Sequence, residues 1–69
     1  MTRLPSSKKV VDVLSKHGFL FVSQRGSHQK YTNGIKTAII PAPKKEIPVG
    51  TLRSISRQAG IDFNEFINL

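Results

Sequence analysis

The chain has no cysteine and no tryptophan, one methionine, one tyrosine and only four acidic residues among 69. Without cysteine, neither a disulfide staple nor a thiolate metal site is available. Two histidines are too few for an ordinary structural zinc centre. No apolar run approaches the ~20 residues of a membrane-spanning helix. The N-terminal stretch lacks an apolar h-region, so no signal peptide and a cytoplasmic location are expected. Each of the four acids has a structural assignment. Asp12 lies between Lys9 and Lys16 on a first helix, Glu46 precedes the positive end of a second, and Asp62 and Glu65 fit a capping box. No carboxylate pair is left for a metal or for acid–base work, which argues against a two-metal nuclease. No metal and no cofactor are expected.

What is abundant is positive charge. Eleven Lys and Arg residues leave a net charge of +7. An excess of that size points to a polyanionic partner. Arg53 and Arg57 are four apart with no acid beside them, and Arg25, Lys30, Lys44 and Lys45 are also unmatched. A solvated face is the usual fate of charge runs. Several unmatched clusters in one small domain, residues 1–69, favour phosphate binding instead.

The elements can be placed from local signals. Leu4-Pro5-Ser6-Ser7 starts a helix, with a serine cap and Val10, Val11 and Leu14 as its apolar face, Val13 at the edge. Gly18 stops it, and His17 in its last turn reads as an ordinary surface residue. Phe19 to Gln24 is a strand with apolar residues at successive positions, so either both faces are covered or the open face is a patch for a partner. Arg25-Gly26-Ser27 is a turn, and His28 to Thr32 a second strand. Asn33-Gly34 predicts a type I′ hairpin into a third strand, Ile35 to Ile40. Pro41 to Lys45 is an extended basic loop. A second helix spans Pro48 to Ala59 with Val49, Leu52, Ile55 and Ala59 as its buried stripe. A short third helix follows Asp62, with Phe63, Phe66, Ile67 and Leu69 as its apolar contacts. The order α-β-β-β-α predicts an α+β two-layer sandwich with both helices on one face of an antiparallel sheet.

Period-two alternation in the second strand sends His28, Lys30 and Thr32 one way and Gln29 and Tyr31 the other. Tyr31 is the natural core residue, which places His28 on the open face beside Lys30. A histidine entering a strand is most often a surface or satisfied residue, and Gly-Ser-His alone is a weak motif. The chemistry strengthens the case. RNA carries its own nucleophile in the 2′-hydroxyl, and a histidine can take that proton or protonate the leaving oxygen. Arg25 and Lys30 would stabilise charge on the phosphate. The second acid or base could be Lys30, Tyr31, water or the partner strand of the RNA.

Lys16-His17-Gly18-Phe19, Gly26-Ser27-His28-Gln29-Lys30-Tyr31, Ile40-Pro41 and Gly50-Thr51-Leu52-Arg53-Ser54-Ile55 followed by Arg57-Gln58-Ala59-Gly60-Ile61 resemble the HicA-type toxins of bacterial toxin–antitoxin pairs. The resemblance covers nearly the whole chain. It implies a fold like the double-stranded RNA-binding domain, a metal-independent endoribonuclease activity on mRNA, and inhibition by a HicB-type antitoxin. The family's catalytic histidine maps onto His28. Many members also carry a histidine after the third strand, where this chain has Pro43 and Lys44. Arg25, Ser27, Lys30, Lys44 and Lys45 are the candidate RNA contacts. Two other readings stand beside this one. A non-catalytic RNA-binding module would share the fold, and a helix-turn-helix from Thr51 to Phe66 has tolerable spacing but follows three strands it does not need.

Overall fold

The computed structural model describes residues 3–67. Its order is α1 (Ser7–Lys16), β1 (Leu20–Arg25), β2 (His28–Thr32), β3 (Thr37–Pro41), α2 (Val49–Ala59) and α3 (Asn64–Ile67). The strands form one antiparallel sheet in the order β1-β2-β3. Tyr31, Ala38 and Ile40 bury one face of it against Val10, Leu14, Leu52 and Ile55 of the helices. The result is the expected α+β two-layer sandwich, an α-β-β-β-α arrangement like that of the double-stranded RNA-binding domain, with a short helix at its end.

Each helix is set by its caps. Ser6 opens α1, its hydroxyl accepting from the Lys9 amide at 3.1 Å. Gly18 follows the helix with φ +83°, a conformation open to glycine at little cost. The α1 face is rotated from the expected one: Val10, Val13 and Leu14 are buried and Val11 only partly so. Pro48 is the N-cap of α2 rather than its first residue, and Gly60 closes it in the left-handed region. Leu52, Ile55 and Ala59 are buried as expected, but Val49, in the first turn of α2, is exposed.

The hairpins differ in how far local chemistry carried them. Gly26-Ser27 makes a two-residue turn with Arg25 opposite His28. The second hairpin is not the two-residue type I′ turn expected. Thr32 pairs with Thr37, and Asn33 to Lys36 form a four-residue loop. The Asn33 carboxamide oxygen accepts from the amides of Ile35, at 2.9 Å, and Lys36, at 2.7 Å. Such a side-chain turn competes with the hairpin geometry for the same backbone donors. The third strand therefore starts two residues later than the sequence suggests.

The successive apolar residues of β1 have a structural cause. The register between β1 and β2 shifts between Phe21 and Ser23, leaving Val22 as a bulge residue. A bulge reverses the alternation that follows it, so Phe21 lies on the helix side and Ser23 and Arg25 on the open side. Leu20, Phe21 and Val22 are all exposed, so this edge strand is not covered on both faces but carries the apolar patch.

At the C-terminal end, Phe66 is fully buried and Phe63 and Ile67 pack on the core; Leu69 lies outside the described residues. The Asp62 half of the expected capping box is present, its carboxylate accepting from the Asn64 amide at 2.8 Å. Glu65 does not complete the box. Its carboxylate instead meets the His17 imidazole at 2.7 Å and ties α3 to the end of α1. Both partners of that pair are more than a third exposed, so it contributes little against the buried ring beside it. Phe66→Ala should lower unfolding free energy by about 3–5 kcal/mol. Glu65→Gln should lower it by less than ~1 kcal/mol. Urea melts of the two variants check the ranking, and a larger loss for Glu65→Gln would reverse it.

Candidate nucleic-acid interface

The open face of the sheet gathers the residues that the alternation assigned to it. His28 pairs across β1 with Arg25 and across β3 with Pro41, and Lys30 pairs with Ser23 and Ile39. Side chains opposite one another across antiparallel strands share a face. His28 and Lys30 are exposed, and Tyr31 is buried on the other side. A groove of about 310 Å³ on this face is lined by Ser23, Arg25, His28, Gln29, Lys30 and Ile39. Two cationic side chains and one imidazole thus border the same open surface, with no acidic residue among its walls.

A second groove, of about 290 Å³, meets the first at His28 and Ile39. It runs between β3 and α2, and its other walls are Pro41, Lys44, Pro48, Thr51, Ser54, Ile55 and Gln58. Here α2 lies along the free edge of β3. The Gln58 carboxamide oxygen accepts from the Ile39 amide at 3.0 Å, satisfying a strand-edge donor that would otherwise need water. His28 therefore stands on the ridge between a cationic groove and a largely neutral one.

The loop after β3 is held firmly against this ridge. The Ala42 amide donates to the Ser27 carbonyl at 2.8 Å, which joins the turn before His28 to the loop that carries Lys44. The Ser7 amide donates to the Lys44 carbonyl at 3.0 Å, and the Ser7 hydroxyl to the Pro41 carbonyl at 2.6 Å. Farther along, the Ile47 amide donates to the Pro5 carbonyl at 2.8 Å. Lys44 is brought to the neutral groove by these bonds, whereas Lys45 is exposed and borders neither groove. Ser27 lies in the turn, exposed, and borders neither groove either.

Tyr31 is separated from His28 by the sheet. Its hydroxyl donates to the Gln29 carboxamide oxygen at 2.8 Å, and burial pushes its pKa up. It therefore stays protonated at neutral pH and faces the helices, which removes it as a partner for His28. Of the unmatched arginines on α2, Arg53 lies over the Phe63 ring at 4.5 Å, a cation–π contact that gives it a packing role. Arg57 is exposed. Asp12 makes no ion pair with Lys9 or Lys16 among the described residues, so its neutralising effect there is at most long-range. No three His, Asp or Glu side chains among the described residues gather closely enough to hold a metal ion.

Sequence reasoning missed Thr51, Ser54 and Gln58. They recur at three- and four-residue spacing beside the buried stripe of α2, which is a legible polar face. Nothing local says that this face meets the edge of β3.

Residues 7–61 match the family described as HicA toxin of bacterial toxin–antitoxin. Comparison with the curated proteins gave no match. The matched segment takes in the whole sheet, both long helices and every residue of the two grooves. The chain belongs to the HicA toxin family and so acts as the toxin of a toxin–antitoxin pair. An antitoxin partner goes with that membership. No described helix is long and apolar enough to cross a membrane.

The exposed position of His28 has a direct consequence for stability. His28→Ala removes no core contact and should change unfolding free energy by less than ~0.5 kcal/mol. That corresponds to a melting shift of only a few degrees in a domain this small. A thermal melt that dropped by more than ~10 °C would show that the imidazole holds the ridge together.

Proposed function

We propose that this HicA-family toxin, as one domain spanning residues 1–69, is a metal-independent endoribonuclease that cleaves mRNA with His28 and is inhibited by a HicB-type antitoxin. The observation that carries the reading is the exposed imidazole of His28 in one groove with Arg25 and Lys30. In such a reaction the RNA 2′-oxygen attacks the adjacent phosphorus. The bond from phosphorus to the 5′-oxygen breaks, and a 2′,3′-cyclic phosphate remains. His28 takes the proton from the 2′-hydroxyl or delivers one to the departing 5′-oxygen. Arg25 and Lys30 stabilise the extra negative charge on the phosphorane oxygens. Lys30, solvent and the partner strand of the RNA are the candidates for the second proton transfer, since Tyr31 faces the helices. Lys44 contacts phosphate from the other side of the ridge. The Ser27 hydroxyl and Lys45 reach RNA only where the strand passes over the turn or along the loop.

The antitoxin reading draws on β1. Leu20, Phe21 and Val22 leave an apolar, unpaired strand edge beside the cationic face. Exposed apolar surface of this kind marks an interaction site. An acidic partner resting on that edge and reaching over Arg25 would close off His28. Location in the cytoplasm, where mRNA and antitoxin are made, fits the same reading.

The α-β-β-β-α fold also suits a module that binds RNA without cutting it, and one variant separates the two. His28→Ala should cut RNA about 10²–10⁴-fold more slowly than the parent while keeping its affinity. Parent cleavage should persist in excess EDTA and leave cyclic or 3′-phosphate ends. A folded variant that cuts at the parent rate would remove His28 from the chemistry, and cleavage abolished by EDTA and restored by magnesium would overturn the metal-free mechanism.

The two lysines of the loop give a further expectation. Lys44→Ala should weaken RNA binding for all sequences and make the dependence of log affinity on log salt shallower by about 0.7 per lost single-strand contact. Lys45→Ala should do so less. Equal slopes for parent and Lys44→Ala, measured by fluorescence anisotropy across a salt series, would assign Lys44 to solvent.

A further inference from the structure

The two grooves that meet at His28 differ in chemistry. The one on the open sheet is bordered by Arg25 and Lys30 and suits a phosphodiester. The one between β3 and α2 is lined by apolar Ile39 and Ile55 and by neutral polar Thr51, Ser54 and Gln58, with Lys44 as its one cationic residue. Its one cation, Lys44, can take a phosphate, but the other walls offer a phosphate no charged partner. A nucleobase has apolar faces and a hydrogen-bonding edge, and it matches both features.

Gln58 is held ready for this role. Its carboxamide oxygen must be the atom that accepts from the Ile39 amide at 3.0 Å, so the amide group cannot be turned over. One hydrogen of the carboxamide nitrogen goes to the Ser54 hydroxyl oxygen at 3.1 Å. That leaves the second amide hydrogen and the Ser54 hydroxyl hydrogen, neither of which has an acceptor among the described residues. The carboxamide donor is already fixed by the fold and loses little freedom when a guest arrives, and the hydroxyl hydrogen has only to rotate.

We propose that the groove between β3 and α2 holds one unpaired nucleobase of the RNA beside the scissile phosphate, and that Gln58 and Ser54 read its acceptor edge. The inference rests on the reading of His28 as the RNA-cleaving residue and names where the sequence preference of that cleavage arises. A volume of about 290 Å³ sits at the low end of small-molecule sites, which run from ~300 to ~1,000 Å³. It has room for a single nucleobase. A base whose edge is read by Gln58 and Ser54 is not paired at the same time, so the proposal places the cut in a single-stranded stretch.

The test has two arms. In the first, isotope-labelled protein is titrated with AMP, CMP, GMP and UMP, which cannot be cut, and followed by NMR. The Gln58 side-chain amide and the Thr51 and Ser54 resonances should shift, with one nucleotide favoured. In the second, cut positions on a mixed-sequence RNA are mapped for the parent, Ser54→Ala and Gln58→Glu. Gln58→Glu keeps an acceptor for the Ile39 amide and removes the donor, so it preserves the strand edge while changing what the groove can read. Both variants should redistribute the cuts, with discrimination at the favoured nucleotide reduced about 5-fold or more. Unchanged cut positions in both variants, with a parent that cuts, would overturn the base site and leave the ribonuclease reading standing. If the parent cut no RNA at all, the ribonuclease reading would fail and the titration alone would decide. Nucleotide-selective shifts at Gln58 would then still assign the groove to a base, and shifts confined to Arg25 and Lys30 would refute it.

Discussion

Ser7 joins the parts on which the site depends. It is the buried polar residue of the described core, with only 6% of its surface exposed. Its amide would be an unsatisfied first-turn donor of α1 if the Lys44 carbonyl did not accept it. Its hydroxyl bonds the carbonyl of Pro41, directly opposite His28 on the neighbouring strand. One small residue, through its amide and its hydroxyl, thus anchors the start of α1, the end of β3 and the loop of Lys44 together. Leaving either group unpaired in a buried position would cost about 1–3 kcal/mol, a large share of the stability of so small a domain. The loop is accordingly not free to choose where Lys44 stands.

The sheet imposes the second constraint. Both helices cover the same face, so each β2 side chain points either towards them or to the open side. Tyr31 takes the packed side, and His28 and Lys30 are sent together to the wet side without any bond between them. The Val22 bulge adds Ser23 and Arg25 to the same face by shifting the register of β1. A cationic face in a domain of net charge +7 lacks carboxylates to quench it. Much of the acidic complement is engaged elsewhere, Asp62 in a cap and Glu65 in its pairing with His17.

The position of α2 turns a binding face into a site with two kinds of wall. Had the helix lain wholly over the sheet, Thr51, Ser54 and Gln58 would face bulk water. Displaced along the β3 edge, it covers that edge through Gln58 and leaves a groove against Ile39. Val49, which the helical periodicity had assigned to the core, is exposed. Arg53 lies over Phe63, so a residue that looked like a spare phosphate contact has a packing partner.

Residues 1–69 in isolation determined the element order, the fold class and the side of the sheet on which His28 lies. Those follow from capping residues, glycine positions and side-chain alternation, all of which act over a few neighbours. The resemblance to HicA toxins was also written in the motifs. The Asn33 loop shows where local reading stops: a carboxamide that can bond two backbone amides overrode a dipeptide that usually forms a tighter turn. Beyond that range only the tertiary structure decided. It separated Lys44 from Lys45, turned Glu65 away from its own helix cap and towards His17, and set Gln58 against the β3 edge. Each of these pairs residues ten or more positions apart, or distinguishes neighbours by what the packed chain places beside them. Such outcomes depend on how the helices dock, and no pattern within a single segment encodes that.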